Sequence, residues 1–576
     1  MAFSESPAIT VREIDASGVV PAVSSSTGAF AGNFRWGPVE KATLISNEAQ
    51  LASTFGTPTA DNSVDFHSAA YFLKYTNALQ VVRVLGDSDG YNAYNHAEAA
   101  KGLNVRIKSA DDFDNAIAGF DSDQHTFIAK WPGELGNSLR VSLCPQQDAD
   151  SAFNGWAYKD NFDAAPATSS YAEGVSAVND EVHVAVVDAN GAFSGTAGTV
   201  LETFPFVSLA SNAKTGDGST NYVRDVINRN SSYVWMAGFD SDYTVANAGT
   251  AATSSKDYQL SAGVLDAKNY DLDSGDESTN MDVGDYITGF DQFEDKDNIQ
   301  VDMLIAPQMT SRADTTTMVN DLVSIAQGTR KDCVVVASPA RSDIVGGSDP
   351  VNDTVTTANT FTPSSYLVAD NNYLKIYDKY NDEFIFIPAN SSTAGIMAAT
   401  DVNAASWFSP AGPRRGQYLG VTGISYSPNK AERDVLYRNG VNPIANIPGQ
   451  GLLLFGDKTK LNRPSAFDRI NVRRLFLTIE RAIALAARNV MFEFNDEFTR
   501  AEFVGIVEPF LRDIKGRRGI TDFRVVCDET NNTAAVIDRN EFVATVLVKP
   551  ARAINFVTLN FVAVRTGVDF AEVAGV

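Results

Sequence analysis

The stretch from Asn471 to Asp496, NVRRLFLTIERAIALAARNVMFEFND, constrains the fold most, because it joins a long amphipathic helix to a run of strand character without any catalytic constellation. Val472, Leu475, Phe476, Ile479, Ile483 and Ala486 follow the three-and-four spacing of a helix face packed on a core. Arg474, Arg481 and Arg488 recur every seven residues on another side. Charged faces are the rule on surface helices, so the row is either a solvated stripe or a surface for a partner, and the surrounding sequence has to decide.

At 576 residues the chain exceeds one ordinary core and implies several modules. Its composition, 44% hydrophobic and 20% charged, is that of a foldable protein, and no apolar run reaches the ~20 residues needed to span a bilayer, so membrane insertion is not expected. The first residues, MAFSESPAITVREID, lack the basic and apolar regions of a secretory signal, which points to folding in a cytoplasm. Cys144, Cys333 and Cys527 lie far apart and read as reduced core thiols. A formal charge of −25 argues against nucleic acid as a general partner. That charge is unevenly placed: residues 411–576 hold 23 Lys and Arg against 18 Asp and Glu, whereas residues 1–410 hold 23 against 53. Two such modules face different surroundings.

Along the chain, residues 1–20 form an extended arm in which Ala8–Ile14 alternates but cannot bury itself, so it wants a partner sheet. Residues 21–93 alternate strand-like pieces (GAFAGNF, ATLIS, LQVVRVLG) with a helix near Val64–Tyr75, the first part of an α/β core. Residues 94–236 read as an inserted β-rich domain (HTFIAKW, SLRVSLC, EVHVAVVDANG) with a hairpin signal at Ala189–Gly191, and residues 237–300 as an acidic, loop-rich insertion. VDMLIAP and KDCVVVASP, separated by a helix near Thr317–Gln327, give the βαβ pattern of an α/β domain over 301–430. A C-terminal domain follows over 431–552. Its second helix starts at Thr499, where Thr499 and Glu502 suit a capping box, and Phe503, Ile506, Val507, Phe510, Leu511 and Ile514 form the apolar face. Strands are expected at Phe523–Cys527, Phe542–Val548 and Ile554–Val564, and residues 553–576 form a terminal arm. The fold class is α+β and α/β, multidomain.

Chemistry is unsupported. Four histidines serve the whole chain, none at metal-ligand spacing. GLLLFGDKT at 451–459 departs from a phosphate loop because Asp457 precedes the lysine and LLLF reads as a buried strand. The acidic run Asp271–Asp285 lacks the bidentate glutamate of a calcium loop, and no GxSxG elbow occurs. No enzyme activity, cofactor, metal or nucleotide is expected.

Taken together, IPANSSTAGIMAATD (387–401), WFSPAG (407–412), LYRNGVNPIANIPGQGLLLFG (436–456), INVRRLFLTIERAI (470–483), VMFEFNDE (490–497), VGIVEPFL (504–511), FRVVCDETNNT (523–533) and VLVKPARAINFVTLNFVAV (546–564) resemble the contractile tail sheath proteins of myovirus-type bacteriophages, in the family's order. SPAITVREIDASGVVPAVSSSTGAFAGNFRWGP (6–38), KWPGELGNSLRVS (130–142) and YVRDVINRNSSYVWM (222–236) resemble its opening and middle regions, while 237–300 departs from it.

The resemblance implies a structural subunit that polymerises as stacked six-fold rings around an inner tail tube, then shortens to drive the tube through a cell envelope for genome delivery. It implies a virion protein, assembled in the host cytoplasm, with further copies of itself, the tube protein, the baseplate and the tail terminator or neck as partners. It also implies an α/β C-terminal sheath domain facing the tube, extended arms at both ends and β-rich insertions facing outward, which accounts for the charge split. Ile9, Val11 and Ile14 are placed in one inter-subunit strand and Val557, Leu559 and Phe561 in the other. Two basic clusters, Arg474, Arg481 and Arg488 or Arg512, Lys515, Arg517 and Arg518, are candidates for tube contact or for pairing with a neighbouring sheath subunit. The competing readings are the sheath of a phage-derived or type VI-like injection device, an acidic self-assembling surface-layer protein, and a hydrolase whose site leaves no local signal.

Overall fold

Short continuous runs of β-branched and aliphatic residues, such as Val334–Val336 and Leu79–Val84, bury both faces and so need helices above and below. The computed structural model describes residues 26–87, 89–95, 104–120, 125–146, 151–239, 247–258 and 267–555. It gathers these runs into one seven-stranded sheet, in the order Val441–Asn442, Leu367–Asp370, Val334–Ala337, Met303–Ile305, Gly28–Asn33, Leu79–Val84, Thr43–Ile45. All neighbours are parallel except Thr43–Ile45, which runs antiparallel along Leu79–Val84.

Alternation along the strands divides the core into two layers. Phe30, Val81, Met303, Ile305 and Val336 meet Phe66, Phe72, Met397 and Ala398, from the helices Ser63–Phe72 and Asn390–Asn403. On the other face Ala29, Ala31, Val82, Val84, Leu304 and Val335 meet Phe290, Met318, Leu322 and Ala358, from Val283–Asp291, Arg312–Ser324 and Pro350–Thr360. Gly289 lets the first of these helices approach, since a Cβ there would lie 2.2 Å from Val84 Cγ1.

The inserted domain leaves and returns at one neck, where Tyr91 pairs with Asp276 in an antiparallel bridge. Its antiparallel sheet has the order Thr199–Ser208, Glu181–Asp188, Leu139–Pro145, Lys268–Asp271. Arg83, fully buried, donates to the carbonyls of Phe34 (2.7 Å), Gly37 (3.1 Å), Arg35 (3.3 Å) and Pro132 (2.7 Å). One guanidinium thus ties the core sheet to the turn that follows the strand Phe127–Ala129 in the insertion, using a fork geometry no other side chain offers. Burial pulls it down to about 9, opposed by Glu277, so it is charged at neutral pH. Gly133, at φ 137°, is required next to it, because a Cβ would meet Arg35 O at 2.5 Å.

Several local expectations change. Residues 237–300 are not one loop: they supply the edge strand Lys268–Asp271 and the helix Val283–Asp291, started by a capping box of Asp282 and Asp285. The turn at Ala189–Gly191 opens a longer connection, in which the Asp188 carboxylate accepts the amides of Gly191, Ala192, Phe193 and Ser194. The second C-terminal helix begins at Glu497 and is capped by Asp496 rather than Thr499. No strand forms at Val490–Phe494, and the strand expected over Phe542–Val548 runs over Thr545–Pro550. GLLLFGDKT contains the strand Gly451–Leu454, and Lys458 donates to Tyr437 O, consistent with rejecting a phosphate loop. Two compact units result. One comprises Val23–Ser406 and Pro410–Leu477; the other is built from Trp407–Ser409 and the described part of Thr478–Val576.

Asp370 ends its strand fully buried, accepting from Ser338 Oγ (2.7 Å) and Thr393 Oγ1 (3.0 Å), with no ion-pair partner among the described residues. Burial pushes its carboxyl up to about 7 from 3.8, against the lowering effect of these hydrogen bonds. Because the folded value lies above the unfolded one, the native state holds the proton between about pH 4 and 7, and stability falls as pH rises through that window and is then level. The span corresponds to on the order of 4 kcal/mol. Asp370→Asn is expected to flatten this slope and to exceed the parent in stability at pH 8, measured as the opening free energy of Leu367–Asp370 amides by hydrogen exchange; an unchanged slope would contradict the assignment.

Candidate assembly surfaces

The two basic clusters proposed from sequence have different fates. In the helix Ile470–Ala487, Val472, Leu475, Ile479 and Ala486 are buried as the spacing predicts. Arg474 is also buried: its guanidinium pairs with the Asp401 carboxylate and donates to Met397 O at 3.0 Å. This corrects the expectation that it belongs to a surface row, since a guanidinium committed to a buried carboxylate is not available to a partner. Arg481 is half-buried and Arg488 exposed, so the heptad spacing does not translate into one uniform stripe.

Arg512, Lys515, Arg517 and Arg518 are all exposed and lie together at the C-terminal end of the helix Glu497–Gly516, where the helix dipole favours cations. Their ion pairs are exposed: Arg512 to Glu508 at 3.8 Å and Arg517 to Asp513 at 3.7 Å are long, and Lys515 donates to Asp522 at 3.3 Å. Exposed pairs of this kind contribute little, roughly 0–1 kcal/mol, and are readily exchanged. Lys515 holds the Asp522 carboxyl below its usual range, and Lys549 approaches the same carboxylate at 3.6 Å. Arg517 also lies over the Trp407 ring, 4.8 Å from its centroid, while the Trp407 indole donates to Arg517 O at 3.2 Å.

Next to this cluster, Ile520–Val526 and Thr545–Pro550 form an antiparallel pair to which no third strand is added among the described residues. A two-stranded sheet is marginal on its own and offers unpaired backbone groups on both outer edges. The residues proposed as inter-subunit strands, Ile9, Val11, Ile14, Val557, Leu559 and Phe561, lie outside the described residues.

The segment preceding the helix Glu497–Gly516 is a surface that sequence reasoning missed. Met491, Phe492, Phe494 and Phe498 are exposed, Phe494 at 83% and Phe498 at 77%. Phe492 is fully exposed with its backbone in the left-handed region, φ 69°, at a cost on the order of 1 kcal/mol that its own chain does not repay in packing. The segment is held in place by Asn495, which donates to Asn532 Oδ1 (3.1 Å) and Glu541 O (2.8 Å) and accepts from Arg500 (2.9 Å). Buried Asn532 in turn bonds both the N–H and the C=O of Val543. The available signal was polar: two asparagines placed among apolar and acidic residues, which strand patterning ignores.

The region carrying these surfaces matches the family model for the phage tail sheath C-terminal domain over residues 462–563, and residues 276–460 match that for the phage tail sheath protein central domain. Over 99% of both chains, the sequence is 32% identical to the tail sheath protein of Vibrio phage KVP40, and likewise 31% identical to that of Enterobacteria phage T4. The chain belongs to the phage tail sheath protein family. Its fold resembles that of the sheath tail protein from Listeria innocua, with a TM-score of 0.54 covering 92% of this chain and 96% of that one at 13% identity. Among the described residues no group of His, Cys, Asp and Glu is placed to hold a metal, and no helix is long and apolar enough to cross a membrane. The described residues of this sheath protein present the basic cluster, the open sheet edges and the exposed aromatics on its surface.

Proposed function

We propose that the chain is the structural subunit of a contractile bacteriophage tail sheath, polymerising as stacked six-fold rings around an inner tube and shortening to drive that tube through the host envelope for genome delivery. The full-length identity with two phage tail sheath proteins carries this reading. In it the protein is a virion component assembled in the host, with the tube, baseplate and terminator proteins as partners. The work is conformational: rigid α/β bodies move while strands shared between copies act as hinges. The open edges of Ile520–Val526 and Thr545–Pro550 suit strands donated by the segments around Ile9–Ile14 and Val557–Phe561 of other copies. Negative-stain electron microscopy of the purified chain at rising concentration, without tube protein, tests the reading. Hollow six-fold tubes are expected; particles that stay separate even when tube protein is added would refute it.

For the tube-facing surface we favour Arg512, Lys515, Arg517 and Arg518 over the heptad row, because all four are exposed and their ion pairs are at the surface, whereas Arg474 is committed internally. Weak exposed pairs can be exchanged for acidic groups on a tube and broken again as the sheath widens. Replacing the four by Glu is expected to lower assembly on tubes roughly tenfold or more, most strongly at low salt. Undiminished assembly of that variant across salt concentrations would remove this cluster from the tube interface.

A further inference from the structure

The ridge Met491–Phe498 has properties that its own chain does not use. Three phenylalanines and a methionine stand in solvent within eight residues, and Phe492 holds a left-handed backbone although no contact of its ring repays it. The ridge is also of one sign. From Asn489 to Thr499 the chain carries Glu493, Asp496 and Glu497 and no base. Asp496 is used as the helix cap, while Glu493 and Glu497 have no side-chain partner among the described residues.

The complementary surface lies in the same unit. From Phe542 to Val568 the sequence carries Lys549, Arg552 and Arg565 and no acid. Where this stretch leaves the strand Thr545–Pro550, Arg552 is exposed and unpaired among the described residues, and Ile554 is 84% exposed. Both the ridge and this exit segment face solvent, so neither covers the other within the chain, and their apolar and charge complementarity suits a contact between two copies.

We infer that the acidic aromatic ridge Met491–Phe498 of one subunit docks the basic exit segment Lys549–Ile554 of a second copy of the chain. The inference rests on the self-assembly proposed above and adds to it a side-chain contact, with Phe492 and Phe494 as apolar anchors around Ile554, and Glu493 and Glu497 opposite Lys549 and Arg552. It accounts for the strain at Phe492, which is retained for a contact made in the polymer.

Two variant sets test it by sedimentation of the full-length chain. Phe492→Gly suits the left-handed backbone and is expected to leave the monomer's melting temperature equal or higher while raising the critical concentration about tenfold or more. Glu493→Lys with Glu497→Lys, and Lys549→Glu with Arg552→Glu, are each expected to block polymerisation, and the chain carrying all four changes to regain it. Mixed Phe494→Cys and Ile554→Cys copies treated with a short bismaleimide are expected to cross-link between chains. Polymer that forms normally in the Phe492→Gly and reversed variants, without that cross-link, overturns the ridge contact and leaves the sheath reading standing. A Phe492→Gly chain that polymerises normally but no longer binds purified tube protein assigns the ridge to the tube and also overturns it. A parent chain that does not polymerise even when tube protein is added, with no cross-link between the cysteine variants, overturns both.

Discussion

The parallel pairing of Gly28–Asn33 with Leu79–Val84 on one side and Met303–Ile305 on the other is the constraint on which the rest depends. The first pairing closes a short βαβ unit; the second joins segments separated by the entire insertion, secured where Thr27 N donates to Asp302 Oδ2 at 3.0 Å. A parallel partner so distant in sequence pays off only if the intervening chain folds as a body of its own, with its two ends side by side. The bridge between Tyr91 and Asp276 and the Arg83 guanidinium achieve that closure.

This division separates the buried α/β sheet from the part of the chain proposed to make the contacts. The seven-stranded sheet is buried on both faces and pinned by charges that find carbonyl partners, as Arg83 does, and again Arg330, which donates to Phe293 O and Ile299 O. The unit containing Thr478–Asn555 has a different character: a two-stranded sheet, long exposed ion pairs and unburied phenylalanines. A two-stranded sheet with open edges suits the contacts of a polymerising subunit, where a neighbouring chain can complete its backbone bonds.

How far the sequence led follows from the same physics. Continuous apolar runs such as Val334–Val336 announced a parallel buried sheet, and the three-and-four spacing in Ile470–Ala487 and Glu497–Gly516 announced helices with the correct buried faces. What periodicity does not report is where a side chain's charge is spent. Arg474 shares the heptad spacing of Arg481 and Arg488, yet Asp401, distant in sequence, removes it from the surface. Likewise VMFEF has strand composition, but the bonds from Asn495 to Asn532 and Glu541 O hold the segment out of any ladder. Both differences come from long-range polar partners that local patterning cannot see.

Copies of this chain are proposed to meet through the unit built on Thr478–Asn555, while the α/β core and insertion move as rigid bodies. Hydrogen–deuterium exchange compared between the dispersed chain and the assembled polymer addresses it directly. New protection is expected at residues 491–498 and 520–555, with the core strands unchanged. Protection gained across the inserted domain 91–276, with none in those C-terminal segments, would contradict it.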